Sequence, residues 1–112
     1  HAEMTGGLGV AMVTAGPGVT NAMTGIANAH VSRAPVLVLS GTPPLPQENR
    51  GALQDMAHTE FVRPLTRYAR TVHHPHLVLQ ELDEAVSRAA AIVSSTCCCV
   101  SLPSRAKQPR AS

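Results

Sequence analysis

An α/β domain on a largely parallel sheet is the fold class that this sequence predicts, from three observations. Short, continuous apolar runs bounded by glycine or proline recur along the chain. Between them lie stretches whose apolar residues are spaced by three and four. The segments that leave the first two runs are rich in Gly and Pro. Continuous runs suit strands covered on both faces, and their alternation with amphipathic helices calls for right-handed crossovers.

The first strand is read at Val10 to Thr14, between glycines. Val19, Met23, Ile26, Ala27 and His30 then fall on one stripe of a helix of about four turns. Val36 to Leu39, between Pro35 and Gly41, is the second strand. The connection "SGTPPLPQENRGALQDMAH" lacks periodicity until Ala52. A functional loop is expected there, because a mobile linker would separate elements that must pair.

Leu65 to Val72 is the third strand. A helix follows from about His76 to Ala91, with Val78, Leu82, Ala85 and Ala89 facing inward and Glu81, Glu84 and Arg88 outward. Glu84 and Arg88 stand four apart in the favourable order. Cys97 to Leu102 forms the last strand, stopped by Pro103, and "RAKQPRAS" reads as a frayed polar tail. Ligands of such sheets sit beyond the carboxyl ends of the strands. "AGPGVTN" and the long connection both leave strands at that edge and so face one crevice.

At 112 residues with 44% apolar content the chain has the makings of a single core. One Tyr, one Phe and no Trp leave almost nothing for bases to stack on, and a net charge of +2 implies no polyanionic partner. No nucleic-acid partner is therefore expected. No apolar run approaches the roughly 20 residues that cross a bilayer, and no leader is visible, so a cytoplasmic protein without a membrane partner is the expectation. Cys97, Cys98 and Cys99 are adjacent. Neighbours in a strand point to opposite faces, so the three thiols cannot converge on a metal, and they read as small apolar residues of a buried strand.

Gly16-Pro17-Gly18 carries the first chemical question. A triphosphate cradle needs a Lys that this turn lacks, and a dinucleotide fingerprint needs a third glycine where Asn21 stands. What remains is a sharp turn, fixed by Pro17, which points the free amides of Thr20 and Asn21 at the crevice. The same spacing also fits a plain strand-to-helix turn. His73, His74 and His76 resemble a metal cluster, but Pro75 interrupts them and no Cys or carboxylate is close enough in sequence, which favours solvated imidazoles. His30 reads as a satisfied core histidine, and His58 lies near the crevice without an assigned role. Gln54, among Leu53 and Met56, fits either a helix surface or a polar group aimed at substrate. Glu3, Glu48, Asp55 and Glu60 have no spacing that implies shared acid/base work.

The series "TGGLGVAMVTAGPGVTNAMTGIANAHVSRAPVLVLSG", "NRGALQDM", "VRPLTRYARTV" and "CCCVSLPS" resembles the pyrimidine-binding domain of thiamine diphosphate-dependent enzymes, in the acetolactate synthase, 2-hydroxyacyl-CoA lyase and benzaldehyde lyase group. The match runs from about Thr5 to Ser104, and its T-[SA]-G-P-G-x-T-N turn followed by P-V-L-x-L-x-G is specific. The resemblance implies a three-layer α/β/α fold lacking its first strand and helix, with 1–104 a partial domain and 105–112 a disordered polar tail. It implies that Gly16, Pro17 and Gly18 shape the pocket for the aminopyrimidine, that Asn21 opens a helix at a subunit interface, and that Gln54 faces the reacting carbonyl.

The resemblance further implies thiamine diphosphate with Mg²⁺ as cofactor, with FAD in some members. It also implies a small 2-oxo or 2-hydroxy acyl substrate and a homodimer or homotetramer. The family's cofactor-activating Glu stands well upstream of Thr5, so Glu3 is out of register. The Gly-Asp-Gly segment that holds Mg²⁺ and diphosphate has no counterpart, Arg105 stands where relatives often carry an acid, and Ser95-Thr96 replace Gly-Pro. On its own the chain is expected to be catalytically silent. A structural or regulatory module of the same fold is the alternative reading.

Overall fold

The computed structural model describes residues 1–43, 50–51, 56–91 and 98–103. Among the described residues, four α-helices and four strands follow in the order α1 (Ala2–Thr5), β1 (Gly9–Val13), α2 (Pro17–Ser32), β2 (Val36–Thr42), α3 (His58–Val62), β3 (Tyr68–Thr71), α4 (Val78–Ala90) and β4 (Cys98–Pro103). Short 3₁₀ turns at Arg63–Leu65 and Pro75–Leu77 lead into β3 and α4. Cys97, Gln54 and the tail 105–112 lie outside the described residues.

The strands form one sheet in the order β1-β2-β4-β3, parallel throughout. The register sets Val13 against Ser40, and Leu37 and Val38 against Cys98 and Cys99. β4 therefore occupies an interior position, between β2 and β3.

Period-two alternation along β2 builds two cores. Leu37 joins Tyr68, Val72, Ala85 and Ala89 on the face covered by α4. Val38, its neighbour, joins Val19, Ile26 and Val62 on the face covered by α2 and α3. The fold is thus three layers, helix on sheet on helix, as expected. The inward stripe of α4 is as read, with Ala85 and Ala89 fully buried. α4 is also tied to the sheet by polar contacts: the Tyr68 hydroxyl donates to Glu81, and Arg88 lies over the Tyr68 ring at 5.0 Å while donating to Glu84 at 2.5 Å. Burial, then the hydrogen bond and charge of Glu81, push the Tyr68 phenol up to about 12.

α2 begins with Pro17 at its first position and ends at Arg33, whose φ of 55° is left-handed. The Arg33 N–H reaches the carbonyls of Ala29 and His30, and the Ala34 N–H reaches Ala29 at 2.9 Å. This is a Schellman closure with arginine where glycine is preferred. Ala29 and Ala34, both buried, supply its apolar contact.

Two expectations are corrected. β1 is not covered on both faces: Val10 and Met12 are 61% and 79% exposed, because α4, which covers their face of the sheet, packs chiefly on β2, β4 and β3, while β1 is the edge strand among the described residues. The third strand does not begin at Leu65, because Pro64 closes a 3₁₀ turn there, and strand geometry starts at Tyr68.

Candidate functional site

Because β1 and β2 are parallel, their carboxyl ends lie side by side and both chain exits open on one edge. At that edge Ser40, Thr42 and Pro43 are buried, and a Cβ placed on Gly41 would come 3.8 Å from the Ala15 nitrogen. The end of β2 and the turn after β1 therefore form one wall.

Within that wall Gly16 is buried and caps α2 with φ 64° and ψ −108°. This mirror-β conformation is open to glycine and strained for any residue with a Cβ. Its carbonyl accepts from the N–H groups of Val19 at 3.1 Å and Thr20 at 3.2 Å. The Thr20 hydroxyl donates to the Pro17 carbonyl at 3.1 Å. The expectation of a free Thr20 amide is thereby corrected: the first helical turn has already used it. Gly18 packs against the preceding strand end, where an added Cβ would stand 2.6 Å from Thr14 Oγ1. Pro17 and Asn21 are exposed and four apart on one side of α2.

Sequence reasoning left His58 without a role, and the structure supplies one. It is 2% exposed at the start of α3, and its Nε2 accepts the Gly16 N–H at 2.8 Å, across 42 residues. Accepting at Nε2 requires the neutral tautomer protonated at Nδ1. Val62, one turn further along α3 and fully buried, seats the helix against Val19 of α2. His58 and Val62 share a face at an i, i+4 spacing, which is the sequence signal that could have linked them.

The other candidates separate from this edge. Glu3 lies on α1, before β1 and so at the amino end of the strands. His30 is half-buried, and its buried Nδ1 has no hydrogen-bond partner among the described residues, so it is not the satisfied core histidine expected. His73, His74 and His76 are exposed at the strand-to-helix junction, with His74 and His76 stacked at 5.4 Å. A cleft of about 530 Å³ along β3 is lined by Arg63, Arg67, Arg70 and Arg88. Arg63 is paired with Glu60 at 2.9 Å, and Arg88 with Glu84. No helix among the described residues is long and apolar enough to cross a membrane.

The turn itself presents backbone, a proline ring and a threonine hydroxyl, with no charged side chain from Thr14 to Met23.

Residues 1–61, which include the turn, α2, β2 and the Gln54 to His58 segment, match the family described as "Thiamine pyrophosphate enzyme, N-terminal TPP binding domain". The chain is 40% identical over 88 residues to 2-hydroxyacyl-CoA lyase 2 of Bos taurus, covering 79% of this chain and 14% of that protein. It is 38% identical over 88 residues to the Caenorhabditis elegans protein of the same name, with the same coverage. Over 83 residues it is 42% identical to a probable acetolactate synthase of Mycobacterium bovis, covering 70% of this chain and 15% of the relative. The chain thus spans about a seventh of the curated relatives it matches. A parallel sheet, a glycine turn shaped as above and this match over the same residues agree: the chain belongs to the thiamine pyrophosphate enzymes, as part of their N-terminal cofactor-binding domain.

Proposed function

We propose that this chain provides the pyrimidine-side wall of a thiamine diphosphate site in a lyase or carboligase of the acetolactate synthase-like group. The observation that carries the reading is the backbone of Gly16, held Cβ-free and buried at the shared carboxyl edge of β1 and β2. Close approach of a flat ring favours backbone without a Cβ at Gly16, with the Pro17 ring exposed beside it and Gly18 letting the turn pack closely on Thr14. Exposed Asn21 stands one turn into α2, on the surface that a second subunit would cover in a homodimer or homotetramer.

When bound, thiamine diphosphate supplies a nucleophilic carbon for chemistry at a carbonyl, and the protein supplies orientation and electrostatics. In this chain the turn would orient the ring, and Gln54 would donate toward the reacting carbonyl of a 2-oxo or 2-hydroxy acyl substrate. Contacts to Mg²⁺ and the diphosphate fall to residues of another domain, as does any flavin.

Calorimetric titration of the natural polypeptide that carries this chain, with thiamine diphosphate and Mg²⁺, tests the reading. Saturable binding is expected. Gln54→Ala should lower kcat by about tenfold or more while cofactor affinity stays near wild type, since its contact is to the reacting group. An unchanged kcat removes Gln54 from the site, and an absence of binding favours a structural module of the same fold.

A further inference from the structure

Glycine permits the shape of the turn but does not impose it. With φ 64° and ψ −108°, Gly16 occupies one of several regions that glycine visits at similar cost, so an uncapped turn would sample others. No side chain caps α2 locally. Pro17 restricts Gly16 and the first helical turn engages the Gly16 carbonyl, but the Gly16 N–H is held from elsewhere in the fold.

We propose that His58 is the positioning residue of the glycine turn, its Nε2 holding the Gly16 N–H so that the wall is formed before the cofactor arrives; the consequence for cofactor binding rests on the function proposed above. The bond is 2.8 Å long and buried, and water does not compete for it. A hydrogen bond in such surroundings is stronger than one in solvent, and its loss leaves a buried donor unpaired. Its acceptor is carried by α3, which is seated on α2 through Val62 and Val19, so the turn is set by tertiary packing. Only the fraction of molecules with a formed turn binds at full strength, and apparent affinity falls with that fraction.

Imidazole Nε2 and the amide oxygen of Gln sit at similar reach from the backbone, whereas the Asn oxygen falls short. His58→Gln, His58→Asn and His58→Leu therefore separate an acceptor at the right distance from mere polarity or bulk. In the natural polypeptide two readouts are taken: hydrogen exchange at the Gly16 amide without cofactor, and calorimetric affinity for thiamine diphosphate with Mg²⁺. Asn and Leu should speed Gly16 exchange and weaken cofactor binding by about tenfold each, and Gln should restore both to within about threefold of wild type.

Unchanged exchange in Asn and Leu overturns the bond as the holder of the turn. Faster exchange with unchanged affinity overturns its role in cofactor binding and leaves the proposed function standing. A wild-type polypeptide that does not bind thiamine diphosphate fails the proposed function, while the exchange comparison still decides whether His58 holds the turn. Should Leu not fold, the Gln and Asn pair carries the same test. A wild-type ¹⁵N spectrum adds an independent check, because an unprotonated Nε2 coupled to the Gly16 N–H is required and a protonated Nε2 contradicts it.

Discussion

Gly16→Ala is the perturbation that the turn should tolerate least. An L-residue held at φ 64° and ψ −108° carries backbone strain of about 1–3 kcal/mol. Should the backbone rotate to relieve it, the Gly16 N–H leaves His58 Nε2, and a buried group without its partner costs a similar amount, about 1–3 kcal/mol. Either route destabilises by roughly 2 kcal/mol, a large fraction of the roughly 5–15 kcal/mol that separates folded from unfolded domains.

Gly6 provides the control. It also has positive φ, 69°, but with ψ 3° near the left-handed helical region, on an exposed surface where an added Cβ meets nothing within 4 Å. Its replacement by Ala should cost only about 1 kcal/mol. Native-state hydrogen exchange at the β2 amides, read in the natural polypeptide without cofactor, should be about thirtyfold faster in Gly16→Ala where opening is domain-wide. It should be only about fivefold faster in Gly6→Ala. Equal effects at the two sites would refute the claim that the turn holds Gly16 in a conformation reserved for glycine.

Other outcomes follow from the same structure. Arg33→Gly should stabilise the domain by about 1 kcal/mol, because φ 55° at the end of α2 suits glycine; a lower denaturation midpoint would show that the arginine side chain outweighs its backbone strain. Tyr68 has its phenol raised from 10.0 to about 12, so the folded state holds a proton that the unfolded state releases. Stability present below pH 10 should therefore decline as pH rises toward 12, and Tyr68→Phe should flatten that decline in denaturation midpoints; an unchanged slope would exclude Tyr68 as its source.

What the sequence made legible is what local patterning encodes. α2 and α4 show their inner stripes at spacings of three and four, and the unbroken run of β2 carries Leu37 and Val38 to opposite cores. Ala29 escaped notice because a small residue adds little to a stripe, though it closes the end of α2 on Ala34. α1 and α3, of four and five residues, are too short for periodicity to register. β1 reads like an interior strand, because its apolar run does not encode that one described strand, β2, is its neighbour in the sheet.

The site divides in the same way. Gly16, Pro17 and Gly18 were legible as a turn, because a strand, a glycine-proline turn and a helix follow one another directly. The accounting of amides was misjudged, because Gly16 acts as cap and its carbonyl takes both Val19 and Thr20. His58 could not be assigned from its neighbours, since its partner lies 42 residues away.

Whether this chain walls a thiamine diphosphate site, as proposed, is tested most directly by calorimetric titration of the natural polypeptide with thiamine diphosphate and Mg²⁺, beside its Gly16→Ala variant. Saturable binding is expected of the wild type, with affinity weakened by about tenfold or more in the variant. Wild-type binding that the variant retains unchanged would contradict the placement of the cofactor against this turn.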